Sequence, residues 1–233
     1  MKIIPFSKLT SIINKGDVIA LAALSTANLP AEILKTLVEY NDEDQSFTDF
    51  TFMLANDISD YRGDSYDLDA FTIRGMIKRL ITSIITASPA TINAMRNNEI
   101  EAYYLPQGVI TTHYRSKTQA SPGTISKIGL NTNVDPRYTG GKVNERTTED
   151  LVSLIEINHQ TYLQYDFPDI DIALLRGTYA DMDGNIYMTH EAHLGEGYSL
   201  ALATHNNRGK VIVQVKAVVQ NGNFNPNDVF IPG

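Results

Sequence analysis

The chain has 233 residues, of which 42% are hydrophobic and 20% charged, and these values exclude a disordered or fibrous protein. Cysteine is absent, which excludes disulfides, thiolate metal sites and a thiol nucleophile. No apolar run reaches the roughly 18 residues that span a bilayer, and the first residues lack the apolar core of a secretory signal. We therefore expect a cytoplasmic protein with no membrane segment. The net charge of -8 and the absence of a basic stripe exclude nucleic-acid binding.

The first half of the chain alternates predicted strands with predicted helices. Its continuous apolar runs are typical of strands buried on both faces, and Pro30 suits the first turn of a helix, where its missing N–H needs no partner. The predicted elements are a short helix at 9–13, a strand at 18–23, a helix at 30–39, strands at 50–55 and 81–86, a helix at 89–97, a strand at 100–105 and a helix after Gln107. This alternation predicts an α/β fold, a Rossmann-like open, mostly parallel sheet with helices on both faces, whose ligands bind beyond the carboxyl ends of the strands.

The second half is predicted to be richer in turns. A polar loop at 131–149 is long enough to indicate a functional or a mobile segment. The remaining predicted elements are a hairpin of 151–157 and 160–165 about Asn158-His159, a strand at 170–179, a turn at 181–185, a helix at 196–205 and a strand at 210–219. Residues 228–233 are typical of a linker rather than of a finished element, and the length of the chain fits one large domain.

Negative charge is concentrated between residues 42 and 69. Nine acids stand there against one base, Arg62, and they account for the whole net charge. Such a stretch is typical of a solvated loop that keeps a protein soluble, and a site for a cation or a partner is the alternative. The acids are Asp42, Glu43, Asp44, Asp49, Asp57, Asp60, Asp64, Asp67 and Asp69.

Two motifs resemble metal sites without meeting their requirements. His190 and His193 are three residues apart, whereas a zincin helix needs two histidines four apart. The Asp-x-Asp-Gly run that ends at Gly184 has the centre of a calcium loop, but Tyr179 stands at its first position and His190 at its twelfth, where acids belong. We therefore predict a β-turn at Asp183-Gly184 and no metal site.

Residues 140–142, Gly-Gly-Lys, do not form a Walker motif, which would need glycine in place of Pro136 and a hydroxyl in place of Val143. An anion-binding concavity of this backbone, with Arg137, Lys142 and Arg146 nearby, is a weaker alternative. There is no Gly-x-Ser-x-Gly elbow. We therefore exclude serine hydrolase chemistry.

Residues 105–108, Leu-Pro-Gln-Gly, join a predicted strand to a predicted helix. A glutamine at this junction can aim its amide N–H at a ligand in the crevice above the sheet, and Gly108 permits a close approach to the backbone. The alternative interpretation of this run is an ordinary turn followed by a helix N-terminus.

Several motifs follow one another in a characteristic order. They are Pro-Gln-Gly at 106–108, Val-Asp-Pro-Arg at 134–137, Gly-Gly-Lys-Val-Asn at 140–144, Ile-Ala-Leu-Leu-Arg-Gly-Thr-Tyr-Ala-Asp at 172–181 and Asp-Gly-Asn-Ile at 183–186. Together they resemble the amino-terminal half of family I coenzyme A transferases, with the fused propionate or acetate branch the most similar. The resemblance runs from about Pro5 to Gly233 and is strongest from Tyr104 onward.

The resemblance implies a ping-pong reaction in which a glutamate attacks an acyl-CoA thioester and passes through a mixed anhydride and a glutamyl-CoA thioester. That glutamate belongs to the family's second half, so no glutamate of this chain is assigned the role and the chain alone is expected to be inactive. By resemblance, Gln107 stabilises the oxyanion. The resemblance also implies a set of residues that bind the substrate or CoA: Asn28, Gly108, Asn131, Gly140, Gly141, Lys142 and Asn144.

The resemblance further implies that acyl-CoA and short-chain carboxylates are substrates, that no cofactor is bound permanently and that the partner is a carboxy-terminal half or a beta subunit within a homo-oligomer. Three segments depart from the family pattern. Ala22-Ala23 stand where the family has glycines, Asn28-Leu29-Pro30 replaces Gly-x-Pro, and the acidic residues 56–69 stand in place of a glycine-rich loop. Two alternatives remain: a non-catalytic binding or assembly module of the same fold, and a sugar-phosphate isomerase or effector-binding domain.

Overall fold

The computed structural model describes residues 3–58, 66–119, 121 and 123–233. The elements of the first half are β1 (Val18–Leu21), α1 (Ala31–Glu43), β2 (Phe50–Leu54), α2 (Leu68–Ile73), β3 (Ile77–Thr82), α3 (Pro89–Arg96), β4 (Glu101–Tyr104) and α4 (Gln107–Thr118). Those of the second half are β5 (Thr124–Ser126), β6 (Val152–Ile157), β7 (Gln160–Tyr165), β8 (Ile172–Ala180), β9 (Ile186–Tyr187), α5 (Gly197–Asn206), β10 (Lys210–Val218) and β11 (Val229–Ile231). Within the described ranges, no helix is both long enough and apolar enough to cross a membrane.

The main sheet confirms the predicted fold class. Its strand order is β11-β9-β8-β1-β2-β3-β4, and β10 also pairs with β8. Strands β1, β2, β3, β4, β8 and β10 run parallel, whereas β9 and β11 pair antiparallel. Because the parallel strands share one direction, their carboxyl ends lie along one edge of the sheet, which we call the carboxyl edge.

Helices cover both faces of this sheet, as predicted. Alternate side chains of a strand point to opposite faces, so Phe52 and Leu80 pack with α1, α2 and α3. Their neighbours Met53 and Ile81 pack with α4 and α5 on the other face. The apolar strand runs thus form the centre of a core with two layers of helices.

The prediction of a strand at 81–86 was wrong by four residues, since β3 is Ile77–Thr82. Lys78 and Arg79 resemble loop residues in the sequence, but the Arg79 guanidinium lies 2.6 Å from carboxylates of Glu101 and Glu149. This pairing neutralises a charge that the sequence pattern counts against a strand. The predicted helix at 9–13 is a 3-10 turn at Phe6–Ser11.

The chain's last residues also differ from their prediction as a linker. Within 228–233, β11 pairs antiparallel with β9, and the N–H of Gly233 donates to Asn185 Oδ1 at 3.1 Å. Three elements had no counterpart in the sequence prediction: the short strands β5 and β9, and the helix α2.

The acidic stretch is not a solvated loop throughout, which corrects that prediction. Buried Asp57 accepts hydrogen bonds from the N–H groups of Thr86 at 2.7 Å and Ala87 at 3.2 Å. Asp69 accepts from Thr91 N–H at 2.8 Å, in the first turn of α3, and Asp67 caps α2. Residues 59–65, with Asp60, Arg62 and Asp64, lie outside the described residues.

A small antiparallel sheet of order β5-β7-β6 stands beside α4. The predicted hairpin is confirmed, and both Asn158 (φ 52°) and His159 (φ 59°) lie in the left-handed region, as a two-residue type I′ turn requires. His113 of α4 joins this sheet to the main body through an Nδ1 contact of 3.2 Å with Thr124 Oγ1.

The loop at 131–149 is a fixed covering of β4 rather than a free loop. Tyr104 N–H donates to the carbonyl of Gly141 at 2.8 Å, and Val143 N–H donates to the carbonyl of Ala102 at 3.0 Å. Strand β4 would otherwise expose its backbone groups at the sheet edge. The loop therefore closes one end of the main sheet.

Candidate functional site

The carboxyl edge is built from the loops that follow β1, β2, β3 and β4. Ser25 N–H donates to the carbonyl of Asp57 at 2.8 Å, which joins the first loop to the second. Ser83 Oγ donates to the carbonyl of Ala55 at 2.6 Å, and the Asp57 carboxylate accepts from Thr86. These bonds join three loops into one rim, and a rim of this kind is where open parallel sheets bind ligands.

Gln107 and Gly108 open α4 on this rim, and both are exposed. The Gln107 amide nitrogen donates one N–H to Asn56 Oδ1 at 2.5 Å. An amide nitrogen carries two N–H groups, so Gln107 retains a second donor. A side chain added at Gly108 would meet no atom within 4 Å, which shows that the backbone beside Gln107 faces open space.

Asn56 is a site residue that the sequence analysis missed. It directly follows the buried run of β2, and its carbonyl oxygen sets the direction of the Gln107 amide. Its place just beyond the carboxyl end of a buried strand is a signal that could have identified it.

Asn28 lies at the same edge, in the loop after β1, with φ 59°. Its Nδ2 donates to the backbone carbonyl of His193. Its Oδ1 and the Nε2 of His193 are both buried, and neither has a hydrogen-bond partner within the described part of the chain. Ala22 is close to this pair, because a side chain added at Gly195 would lie 3.7 Å from its carbonyl oxygen.

The alanines that replace family glycines fit this backbone. Neither Ala22 nor Ala23 has a positive φ, whereas Ser25 (φ 51°) and Asn28 do. An alanine Cβ is strained chiefly where φ is positive. The Ala22-Ala23 pair therefore imposes no left-handed strain on the loop after β1.

Glu191 is a carboxylate near this edge that is already bound. Its oxygens lie 3.0 Å from Arg176 Nε and 3.2 Å from Thr178 Oγ1, and the side chain is 8% exposed. These contacts occupy lone pairs on both oxygens of the carboxylate. Glu191 is therefore placed to anchor the segment that carries His193.

Asn144 lies away from the carboxyl edge, at the amino end of β4. Its Nδ2 donates to the carbonyls of Met95 at 2.7 Å and Ile100 at 2.9 Å, and its Oδ1 accepts from Thr147. Three residues separate it from Gly140 in the chain. The Asn144 amide thus fixes the loop to α3.

Gly140 and Gly141 lie beside the carboxyl end of β4 and have φ values of 64° and 77°. A side chain added at Gly141 would come within 2.5 Å of Leu105 Cδ2 and 2.9 Å of the carbonyl oxygen of Tyr104. Only glycine therefore permits this approach of the loop to β4. Exposed Asn131, with φ 61°, accepts a hydrogen bond from Arg137 at 3.2 Å.

The cations of this loop are largely paired. Arg137 Nη2 lies 2.5 Å from an oxygen of buried Asp135, and its hydrogen bonds hold the pKa of that carboxyl well below the usual range. Lys142 Nζ lies 2.5 Å from Asp150. Two of the three cations expected at an anion-binding concavity are thus engaged by carboxylates. Among the described residues, no three His, Asp or Glu side chains are grouped closely enough to hold a metal ion.

The structure therefore brings Gln107, Gly108 and Asn28 to one edge and places Gly140 and Gly141 beside the carboxyl end of β4. Asn144 lies at the amino end of that strand instead. The edge offers neutral amide donors and exposed backbone, together with the added residues Asn56 and His193. This chemistry suits a polar carbonyl or amide ligand, whose developing charge amide N–H groups can stabilise.

Comparison with known proteins identifies similar chains. The family model described as coenzyme A transferase matches residues 6–233. A caffeate CoA-transferase of Acetobacterium woodii is 34% identical over 232 residues, which are 100% of this chain and 44% of that protein. The alpha subunit of an acetoacetyl-CoA:acetate/butyrate CoA transferase of Clostridium acetobutylicum is 26% identical over 80% of this chain and 75% of that subunit.

Solved structures agree with these sequence matches. The acyl-CoA transferase YdiF of Escherichia coli O157:H7, as the apoenzyme, superposes with a TM-score of 0.92 at 29% identity over 99% of this chain and 44% of that one. Its thioester complex with CoA superposes with a TM-score of 0.89 at 28% identity, over 98% of this chain and 44% of that one. The chain thus spans less than half the length of YdiF and of the caffeate CoA-transferase.

Proposed function

Because the chain belongs to the coenzyme A transferase family, we propose that it forms the amino-terminal half of a short-chain acyl-CoA:carboxylate CoA-transferase. The observation that carries this proposal is the superposition of nearly the whole chain on less than half of an acyl-CoA transferase. The carboxyl edge supports it, since it offers amide donors while the carboxylate of Glu191 is already bound.

In the proposed reaction, a glutamate of the other half attacks the thioester carbonyl of acyl-CoA. The carbonyl oxygen becomes an oxyanion, and the CoA thiolate leaves as a mixed anhydride forms. The thiolate then attacks the glutamyl carbonyl, which releases the first carboxylate and leaves a glutamyl-CoA thioester. The acceptor carboxylate repeats these steps in reverse and takes the CoA.

This chain's part in that reaction is to stabilise the oxyanion. The free N–H of Gln107 donates to the developing charge, and Asn56 holds the Gln107 amide in the productive direction. A donor that is already oriented needs no reorganisation when the charge appears. Gly108 leaves the adjacent backbone open to the substrate.

The substrates of the complete protein are proposed to be acyl-CoA and short-chain carboxylates, with no cofactor bound permanently. The other half is either continuous with this chain, as the length of the caffeate CoA-transferase suggests, or a separate beta subunit, as the name of the Clostridium alpha subunit suggests. The homo-oligomeric state and the cytoplasmic location stay predictions from the sequence.

The test is CoA transfer from acetyl-CoA to propionate. The chain alone is expected to form no propionyl-CoA, and the chain assembled with its carboxy-terminal half, from the same reading frame or an adjacent one, is expected to form it. No transfer by the assembled protein would contradict the proposal and favour a binding module. Turnover of a sugar phosphate by the chain alone would instead support the isomerase alternative.

A further inference from the structure

A short segment, residues 192–196, crosses the carboxyl edge between two fixed points, and we call it the cover segment. Before it, Glu191 is held by Arg176 and Thr178. After it, the chain enters α5 at Gly197. Between these points the segment is largely exposed, so little packing holds its centre in place.

One hydrogen bond holds the centre of the cover segment. Asn28 Nδ2 donates to the carbonyl of His193, and across the described ranges no other hydrogen bond joins residues 192–195 to the rest of the chain. Because a carbonyl can only accept, this bond directs the Nδ2 of Asn28 toward His193 and its Oδ1 away.

In the structure the cover segment lies over Asn28, which we call its closed state, and this state leaves two polar atoms without hydrogen bonds. Asn28 Oδ1 and His193 Nε2 are buried without a hydrogen-bond partner in the described residues. Most buried polar atoms in folded proteins have a partner, and one without a partner costs free energy. Opening the segment would return both atoms to solvent or to a ligand. The free energy that favours the closed state is therefore small.

We propose that the cover segment masks the amide of Asn28 in the free chain and that acyl-CoA displaces it. This inference rests on the proposed function. An unmasked Asn28 presents an N–H donor and a carbonyl acceptor together, which complements the secondary amides of the pantetheine arm of CoA. The ligand favours the open state because only that state offers it this amide.

Gly195 provides a second way to test the closed state. It has φ 55°, and a side chain added there would lie 2.7 Å from Cε1 of the His193 ring. The positive φ strains the backbone of any residue other than glycine at this position, and the short contact also makes the ring move. Gly195→Ala should therefore loosen the cover segment without altering Asn28.

The absence of cysteine from the chain permits a clean distance measurement. Leu194, which is 53% exposed, and exposed Glu39 on α1 are replaced by cysteine and labelled with nitroxides. Pulsed electron spin resonance then gives the distance distribution between the cover segment and a rigid helix. The closed and open states appear as separate populations.

In this labelled background, Asn28→Asp keeps the shape and the left-handed preference of the side chain but replaces the donor by an acceptor facing the His193 carbonyl. The loss of one hydrogen bond should raise the ratio of open to closed segment about fivefold, the equivalent of about 1 kcal/mol. Thr26→Ala, an exposed change in the same loop, is the matched control and should leave the distribution unchanged.

Acetyl-CoA is then added to the labelled protein assembled with its carboxy-terminal half, and the open population should rise. An unchanged distance distribution in both Asn28→Asp and Gly195→Ala would overturn the proposal that the Asn28–His193 hydrogen bond holds the cover segment closed. A response to these variants but none to acetyl-CoA would overturn the coupling to the ligand. Propionyl-CoA formation, measured on the same preparation, tests the proposed function separately.

Discussion

Protonation of His113 should destabilise the folded chain at mildly acidic pH. The ring is 2% exposed, its Nε2 has no partner in the described residues, and it lies 4.6 Å from the ring of Phe167. Burial, with a smaller contribution from Lys117, lowers its pKa from 6.5 to about 4. One pKa unit is worth about 1.4 kcal/mol, so this difference corresponds to about 3 kcal/mol of unfolding free energy.

The unfolded chain takes up this proton at a higher pH than the folded chain does, so acid lowers the stability. As the pH falls below 6.5, the unfolded chain protonates this histidine while the folded chain does not, so stability is complete above pH 6.5 and is lost as the pH falls toward 4. The assay is urea unfolding of wild-type chain and His113→Gln at intervals from pH 7 to 4.5. Between pH 7 and 4.5 the wild type should lose about 2 kcal/mol more than the variant.

Exposed His205 supplies the control, since His205→Gln should retain the pH dependence of the wild type. Parallel curves of stability against pH for the wild type and His113→Gln would refute the reasoning.

Three further perturbations test the packing and the site. Gly141→Ala should lower the free energy of unfolding by about 2 kcal/mol or more, because its Cβ would meet Leu105 and the carbonyl of Tyr104 at positive φ. Gly16→Ala, at φ 84° with open space around it, should lower it less in the same urea unfolding assay. Equal losses in the two variants would contradict the steric explanation. Asp69→Ala should lower the free energy of unfolding by about 1 to 2 kcal/mol, because it removes the acceptor for the N–H groups at the start of α3. An unchanged denaturation midpoint would show that this acceptor does not stabilise the helix. In the assembled enzyme, Asn56→Ala should lower kcat roughly fivefold by releasing Gln107, whereas an unchanged kcat would show that Asn56 does not position it.

The sequence predicted the elements whose evidence is local. Continuous apolar runs identified β1, β2 and β8 to within two residues at every boundary, and Asn158-His159 identified the hairpin turn. The prediction was wrong where residues distant in the sequence determine the structure of a local segment. Arg79 enters a strand because Glu101 and Glu149 neutralise it from elsewhere.

The acidic residues show the same limit. Asp57 and Asp69 look like loop acids in the sequence, but their partners are backbone N–H groups between 21 and 30 residues further along the chain. At the candidate site, the motif around Gln107 was visible, whereas Asn56 and His193 acquire their roles from contacts across 51 and 165 residues. Such pairings follow from the order of strands in the sheet and cannot be read from spacing.

The most direct test of the proposed oxyanion role is the kcat of Gln107→Ala in the enzyme assembled with its carboxy-terminal half. If Gln107 donates to the oxyanion, kcat for transfer from acetyl-CoA to propionate should fall by roughly a hundredfold, the typical loss for one such donor, with little change in KM or melting temperature. Gln119→Ala, at the opposite and exposed end of α4, should leave all three unchanged. An unchanged kcat in Gln107→Ala, with only a lowered melting temperature, would contradict the account and reduce Gln107 to a turn residue.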